Sequence, residues 1–500
     1  MMGNRTVTAL LSAALTLAGC TAAAQSHDHL TARTRAGLVH GASDGEVKRF
    51  KGVPYAAPPV DDLRWRAPRE PAPWPGVRET TRSGPPCAQG PNRKDAAEDC
   101  LYLDVTAPAT GGNKPVMVWL HGGGFAEGAG RDYDPRRLVA RGDVVVVTVE
   151  FRLGLYGFFG APGLDGGGTF GFQDQQAALR WVRDNIREFG GDPGNVTLFG
   201  ESGGAIATCA QVTSPGAKGL LRRAIMQSGF CDGTIPKNLT PTGSPEFHFF
   251  RPAAEIDAIG AAAMRALGCD TVDCLRKLPV DALNPRYPAF GSAAYRTPSL
   301  PEDPRLAIRN TSVPMIVGAT RDEHRLTAGI MALAGYDWSK AGFATLMADA
   351  FGAEPAGKIV QRYGRDKDVA RAWAAAFTDS STCAQDVPGY ARTYDFADEH
   401  AQPFVDLPPG FDAGASHASE LPNLFEVAGR KPITDPYYTD AQRRLAARMI
   451  GYWSAFARTG DPNHAGAPAW PGATGLQLAP DAIKPVDIDA RHRCAFWRSL

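Results

Sequence analysis

The sequence predicts an α/β fold with a large, mostly parallel sheet covered by helices. Three features carry that reading. Short apolar runs at Pro115 to Leu120, Val144 to Val149, Val196 to Phe199, Ala224 to Met226 and Val313 to Val317 lack the alternation of a half-exposed sheet. Helical patterns separate several of them, as in parallel sheets whose strands return through crossovers. One run, Val196 to Phe199, leads directly into Gly200-Glu201-Ser202-Gly203-Gly204 and a following helix. That junction is too sharp for side chains at its glycines.

The N-terminus reads as an export signal. Arg5 supplies a positive end, and Thr6 to Ala18 form an apolar segment too short to span a bilayer, so residues 1–19 are a removable signal peptide. Leu17-Ala18-Gly19-Cys20 resembles the bacterial lipoprotein cleavage box, in which Cys20 is acylated and becomes the new N-terminus. Ordinary cleavage after Ala24 is the alternative. Residues 20–36 then form a flexible tether and residues 37–500 one folded domain. The protein is expected to be exported, as a membrane-anchored lipoprotein of the cell envelope or else in periplasmic or secreted form.

Further along, Gln173 to Phe189 aligns Ala178, Val182, Ile186 and Phe189 on one helical stripe, and Gly190-Gly191 ends that helix. Asp440 to Arg458 aligns Ala446, Ile450, Trp453 and Ala457, with Gly460 as the stop. Thr393 to Ala397 is a further strand. Insertions are expected near 232–305 and 325–380; the Pro-, Ser- and Gly-rich parts of the first pass over the mouth of the sheet, where substrate is selected.

Charge excludes some partners. Lys and Arg total 53, as do Asp and Glu, and no basic run with interleaved aromatics suggests a nucleic-acid surface. The eight cysteines after Cys20 belong to a compartment where disulfides persist. Short separations suggest Cys87 with Cys100 and Cys269 with Cys274. No Cys or His spacing argues for a metal.

Ser202 is the candidate nucleophile, and a serine hydroxyl needs a base within hydrogen-bond reach and a third group to orient that base. Of the ten histidines, His27, His29 and His40 lie in or near the N-terminal tail, His464 and His492 are expected at the surface, and His121 shapes the glycine turn beside it. Among His248, His324, His400 and His417, only His417 sits in a late glycine-containing loop after a strand. The chain order nucleophile, acid, histidine then places the acid after the Val313 to Val317 strand, at Glu323 or Asp322. Gly122-Gly123-Gly124, following another strand, can aim backbone N–H groups with that of Gly203 at a developing oxyanion.

At this point the chain resembles the type-B carboxylesterase family, which includes cholinesterases and large fungal lipases, from about Gly37 to Leu500. The motifs are Phe50-Lys51-Gly52-Val53-Pro54-Tyr55-Ala56 with Leu63-Arg64-Trp65; Glu98-Asp99-Cys100-Leu101-Tyr102-Leu103; His121-Gly122-Gly123-Gly124-Phe125; Phe189 to Gly204; Gln227-Ser228-Gly229; and Gly460-Asp461-Pro462-Asn463. The resemblance implies an α/β-hydrolase domain in which Ser202 is nucleophile, His417 general base and Glu323 its acidic partner. Gly123, Gly124 and Gly203 form the oxyanion hole, and Glu201, Ser228 and Glu420 a buried polar network beside it. It also implies pairing of Cys383 with Cys494 and leaves Cys209 and Cys231 over, with pairing favoured.

Two departures stand out. His324 occupies the place after the acid where the family usually has glycine, which keeps Asp322 as the fallback. The Cys87 to Cys100 segment lacks tryptophan, and the aromatics that cage a quaternary ammonium in cholinesterases are missing after Glu323. The expectation is a carboxylic ester hydrolase without metal or cofactor, acting on a small-molecule ester and touching a membrane only through the N-terminal lipid. A lipase for long-chain acylglycerols and a catalytically silent scaffold of the same fold are the rivals.

Overall fold

A computed structural model describes Met1 and residues 29–500 except 91–92, 240–243, 386 and 473. The expected signal peptide, Cys20 and the tether up to residue 28 lie outside the described residues. The expected end of the tether at residue 36 is corrected: Thr31–Arg33 pairs antiparallel with Leu38–His40 and buries Ala32, so the folded part includes these residues.

The framework is an 11-stranded sheet. In chain order its strands are β1 (Ala42–Ser43), β2 (Val47–Pro54), β3 (Tyr102–Pro108), β4 (Lys114–Leu120), β5 (Val145–Val149), β6 (Gly191–Glu201), β7 (Arg223–Gln227), β8 (Met315–Thr320), β9 (Arg392–Phe396), β10 (Gly475–Leu478) and β11 (Lys484–Val486). Their spatial order is β11-β10-β9-β8-β7-β6-β4-β5-β3-β2-β1. Every pairing from β10 across to β5 is parallel, while the outer pairings on both sides are antiparallel.

The continuous apolar runs are explained by burial on both faces. In β4, Val116, Val118 and Leu120 pack into one core with Ala178, Val182, Ile186 and Phe189. Met117 and Trp119 of the same strand pack into a second core with Ile450, Trp453 and Ala457. Neither face meets water, so neither is polar. The covering helices are α1 (Phe170–Asn185), α2 (Gly203–Thr213) and, later in the chain, α5 (Asp440–Thr459); between them α3 (Arg325–Leu333) and α4 (Val369–Ala384) contribute to a further apolar cluster around Trp373 and Phe377. α5 begins with a reciprocal capping box between Thr439 and Gln442 and ends at Gly460 in the left-handed region, φ 87°. Its Trp453 indole donates to Gln227 Oε1 at 2.9 Å, tying the helix to the end of β7.

Among the described residues, four disulfides link Cys87 to Cys100, Cys209 to Cys231, Cys269 to Cys274 and Cys383 to Cys494. Cys209 lies in α2 and Cys231 just beyond Gly229, so this bridge ties the helix after Ser202 to the loop after β7. The described residues contain no helix long and apolar enough to cross a membrane.

The expected surface position of His492 is corrected. Its side chain is 4% exposed, with Nδ1 2.8 Å from Asp379 Oδ1 and Nε2 3.7 Å from Asp395 Oδ2. Polar neighbours in sequence concealed this, because both carboxylates come from distant elements. Burial opposes the imidazolium, yet Asp379 and Asp395 outweigh it and raise the group to about 9. With its folded value above the ordinary 6.5, His492 contributes stability in full below pH 6.5 and loses it as pH rises through 9. The urea midpoint is therefore expected to fall across that interval, and His492→Gln to flatten the slope; equal slopes for the two proteins would contradict the assignment.

Candidate active site

Strand β6 delivers Ser202 to a bend in which its own backbone sits at φ 55°, ψ −124°. A non-glycine residue pays about 1–3 kcal/mol for such a conformation, so it persists only where its surroundings fix it. Those surroundings are crowded. A Cβ on Gly204 would lie 2.0 Å from Leu120 O, and one on Gly200 would lie 2.4 Å from the Gly204 carbonyl carbon. The amide of Ser202 donates to Gln227 O at 2.8 Å, which fastens the bend to β7.

The loop after β4 comes up beside it. Gly123 and Gly124 have φ values of 105° and 60°, and a Cβ on Gly203 would stand 2.7 Å from Gly124 N. Gly123 O accepts from the amides of Ala126 and Glu127 at 2.9 and 3.0 Å, closing a tight turn. Among the described residues, the N–H groups of Gly123, Gly124 and Gly203 make no hydrogen bond, so they are available to a ligand. His121 anchors the turn through Nδ1, 2.8 Å from Gly122 O, and stacks on Phe151. The first insertion reaches the same turn: Phe249 packs edge-on against Phe125, and the Tyr287 hydroxyl donates to Ala126 O.

Beyond β8 the chain turns through Arg321-Asp322-Glu323. Glu323 Oε1 is hydrogen-bonded to His417 Nδ1, while Oε2 accepts from Ser228 Oγ at 3.0 Å, from the Thr320 amide at 3.0 Å and from the Thr320 hydroxyl. Asp322 faces elsewhere. Its carboxylate binds the guanidinium of Arg321 at 2.6 Å, that of Arg325 at 3.2 Å and the Ala415 amide at 3.0 Å. One of the two acids thus contacts the imidazole and the other braces the histidine's loop. His324 is turned away from His417: its ring lies edge-on to Trp373 and Phe377, with Nε2 3.3 Å from Ser381 Oγ.

Burial shapes the electrostatics. It pushes Glu201 up to about 8 against the pull of His417, with Glu420 and Glu323 adding to the rise, and together with Glu323 it lifts Glu420 to about 7. Glu323 goes the other way: burial alone would raise it, but His417 and the hydrogen bonds from the imidazole and Thr320 hold it near 2. Burial disfavours the His417 imidazolium, while Glu201 and Glu323 outweigh it and carry the ring to about 10. Where Glu201 keeps its proton, its share of that pull vanishes and the imidazole is freer to accept a proton from elsewhere. Glu201 Oε1 stands 3.1 Å from His417 Nε2 but makes no aligned hydrogen bond. Glu420 Oε1 accepts from Gln227 Nε2 at 3.2 Å.

Ser202, His417 and Glu201 line one cavity of about 450 Å³, together with Gly122, Gly123 and Leu326. Thr320 and the cavity wall from α3 carry no motif in the sequence, and Gln227 enters there only within Gln227-Ser228-Gly229. Thr320 left a faint signal, a hydroxyl residue three positions before the acid at a strand end.

A parallel sheet with antiparallel margins, a strained serine between β6 and α2 and a late histidine define an α/β hydrolase. Comparison with known proteins agrees: the model of the "Carboxylesterase family" matches residues 28–479. The chain belongs to the carboxylesterase family and is a carboxylic ester hydrolase. It is similar to a para-nitrobenzyl esterase of Bacillus subtilis, 32% identical over 463 residues that cover 87% of this chain and 91% of that one. A phenmedipham hydrolase of Pseudarthrobacter oxydans is 31% identical, covering 92% of this chain and 98% of that one. A solved carboxylesterase of Geobacillus stearothermophilus superposes with a TM-score of 0.74 at 30% identity, covering 94% of this chain and all of that one.

Glu323→Gln is expected to lower kcat by about 10⁴-fold, because the amide no longer holds the required tautomer. Asp322→Asn is expected to act chiefly on stability. Steady-state kinetics with thermal unfolding separates the two; equal kcat losses from both variants would contradict the division of roles.

Proposed function

We propose that the chain hydrolyses small-molecule carboxylic esters through an acyl-enzyme on Ser202. The contact between Glu323 Oε1 and His417 Nδ1, with Ser202 on the same cavity as that imidazole, is the observation that carries this reading. In the proposed cycle Ser202 Oγ attacks the carbonyl carbon and His417 Nε2 takes its proton. Glu323 keeps Nδ1–H oriented and stabilises the imidazolium that forms. The carbonyl oxygen, now an oxyanion, accepts from the N–H groups of Gly123, Gly124 and Gly203, each worth about 10²- to 10³-fold in rate in comparable enzymes. Collapse of the tetrahedral species expels the alcohol, which takes the proton from His417. Water, activated by the same ring, then releases the acid.

Glu201 supports this chemistry when it holds a proton. Three ionised carboxylates around one imidazole would hold it as an imidazolium and remove the base. With Glu201 neutral and Glu323 ionised, the negative charge sits on the Nδ1 side, where it helps. The four disulfides are compatible with an exported protein. The lipoprotein box at Cys20 supports attachment to the cell envelope by a lipid.

Mass spectrometry after fluorophosphonate treatment tests both parts on one sample. A single adduct on Ser202, absent from Ser202→Ala, and a mature chain starting at acylated Cys20 are expected. Label retained by the alanine variant would remove Ser202 from the mechanism, and an unmodified chain starting at Gln25 would remove the anchor.

A further inference from the structure

The cavity beside Ser202 carries a charge that the ester chemistry leaves unused. Its wall from the turn after β4 includes Glu127, which is exposed and has neither a hydrogen bond from its carboxylate nor an ion pair among the described residues. The side chain starts close to the proposed reacting centre: a Cβ on Gly123 would lie 3.1 Å from Glu127 Cγ, so the stem of the glutamate folds back along a glycine of the proposed oxyanion turn.

The other charged groups at this wall are matched. Arg93 makes a two-pronged contact with Asp132 at 2.8 and 3.0 Å and a third bond to Asp95 at 3.0 Å. Asp95 also accepts from Arg131. Two guanidinium groups therefore face two carboxylates, and their fields largely cancel. Gln89, on the same wall, spends its amide on Cys87 O, Gly128 O and Gly128 N at 3.0, 2.9 and 3.1 Å. Glu201 lies deeper and is 2% exposed. Leu326, Ile330, Phe404 and Val405 supply an apolar lining elsewhere in the cavity. Among the described residues, the mouth thus sets a neutral ionic cluster and one uncompensated carboxylate beside the apolar lining.

We propose that Glu127 is a specificity-determining residue that selects esters bearing a cationic group a few bonds from the scissile carbonyl. The inference rests on the reading of Ser202 as the ester-cleaving centre and names the substrate class of that site. A protonated amine placed against Glu127 finds an unpaired partner near the oxyanion turn, while the alkyl chain that carries it lies on the apolar lining. The selection comes from one ion pair and needs no aromatic cage. Because the carboxylate is solvent-accessible, the preference is moderate and weakens with salt.

The test uses two near-isosteric esters, dimethylaminopropyl acetate, protonated at neutral pH, and methylpentyl acetate, which is neutral. The full chain is expected to favour the cation by about 2- to 5-fold in kcat/KM at low ionic strength, the gap shrinking toward unity in about 1 M salt. Glu127→Gln is expected to bring the ratio near one and Glu127→Asp to keep most of it. A ratio that stays the same in Glu127→Gln, or no preference in the unmodified chain, would overturn the proposal. Binding of the two matching ketones, with a methylene in place of the ester oxygen, is measured alongside by calorimetry. Charge preference in ketone binding without hydrolysis of either ester would leave Glu127 in its role and defeat the ester-cleaving reading; hydrolysis of both esters without charge preference would do the reverse.

Discussion

The site depends on one carboxylate held at the end of a strand. Glu323 is largely enclosed, yet stays ionised because its partners are brought to it by different elements: Thr320 from β8, Ser228 from the loop after β7 and His417 from a loop nearly a hundred residues later. Each hydrogen bond favours the charged form, and the charge in turn orients the imidazole. Removing the carboxylate would leave His417 free to rotate and change tautomer, although most of the fold would remain. The parallel sheet makes the convergence possible, since the carboxyl ends of neighbouring parallel strands open at one edge and their loops meet there.

The strain at Ser202 follows from the same geometry. A strand buried on both faces must leave the sheet abruptly to begin a helix that covers it, and the bend forces a serine into positive φ. Packing of Gly200 and Gly204 against the end of β4, and of Gly229 against Ser202 O, leaves no room for relaxation. The disulfide between Cys209 and Cys231 closes the arrangement from behind, joining α2 to the segment that carries Ser228 and Gly229. Ser202, the Gly123-Gly124 turn and Glu323 are thereby parts of one packed unit.

Much of this was legible in the sequence because it rests on local rules. Apolar runs without alternation announced the sheet, and the glycine spacing around Ser202 announced the bend. Boundaries were harder. β6 begins at Gly191, before the apolar run at Val196, because irregular pairing with β4 extends it through Asp192 to Asn195. The strand expected at Val313 starts at Met315 and continues to Thr320. The choice between Asp322 and Glu323 lay beyond sequence pattern, since neighbouring side chains in one turn point in different directions and only the folded turn decides which meets the histidine. His492 escaped for a related reason: its burial is created by Asp379, 113 residues away in the chain, and by Asp395. Glu127 carried no signal at all, because a lone glutamate after a glycine turn resembles any surface residue until the cavity is seen.

The central claim is geometric, that three amides and one imidazole converge on the carbon attacked by Ser202. A crystal structure of the chain after reaction with a phosphonate ester tests it most directly. The account predicts phosphorus bonded to Ser202 Oγ, with one phosphonyl oxygen about 2.7–3.1 Å from the amides of Gly123, Gly124 and Gly203 and His417 Nε2 turned toward the adduct. An adduct on another residue, or a phosphonyl oxygen facing away from those amides, would contradict it.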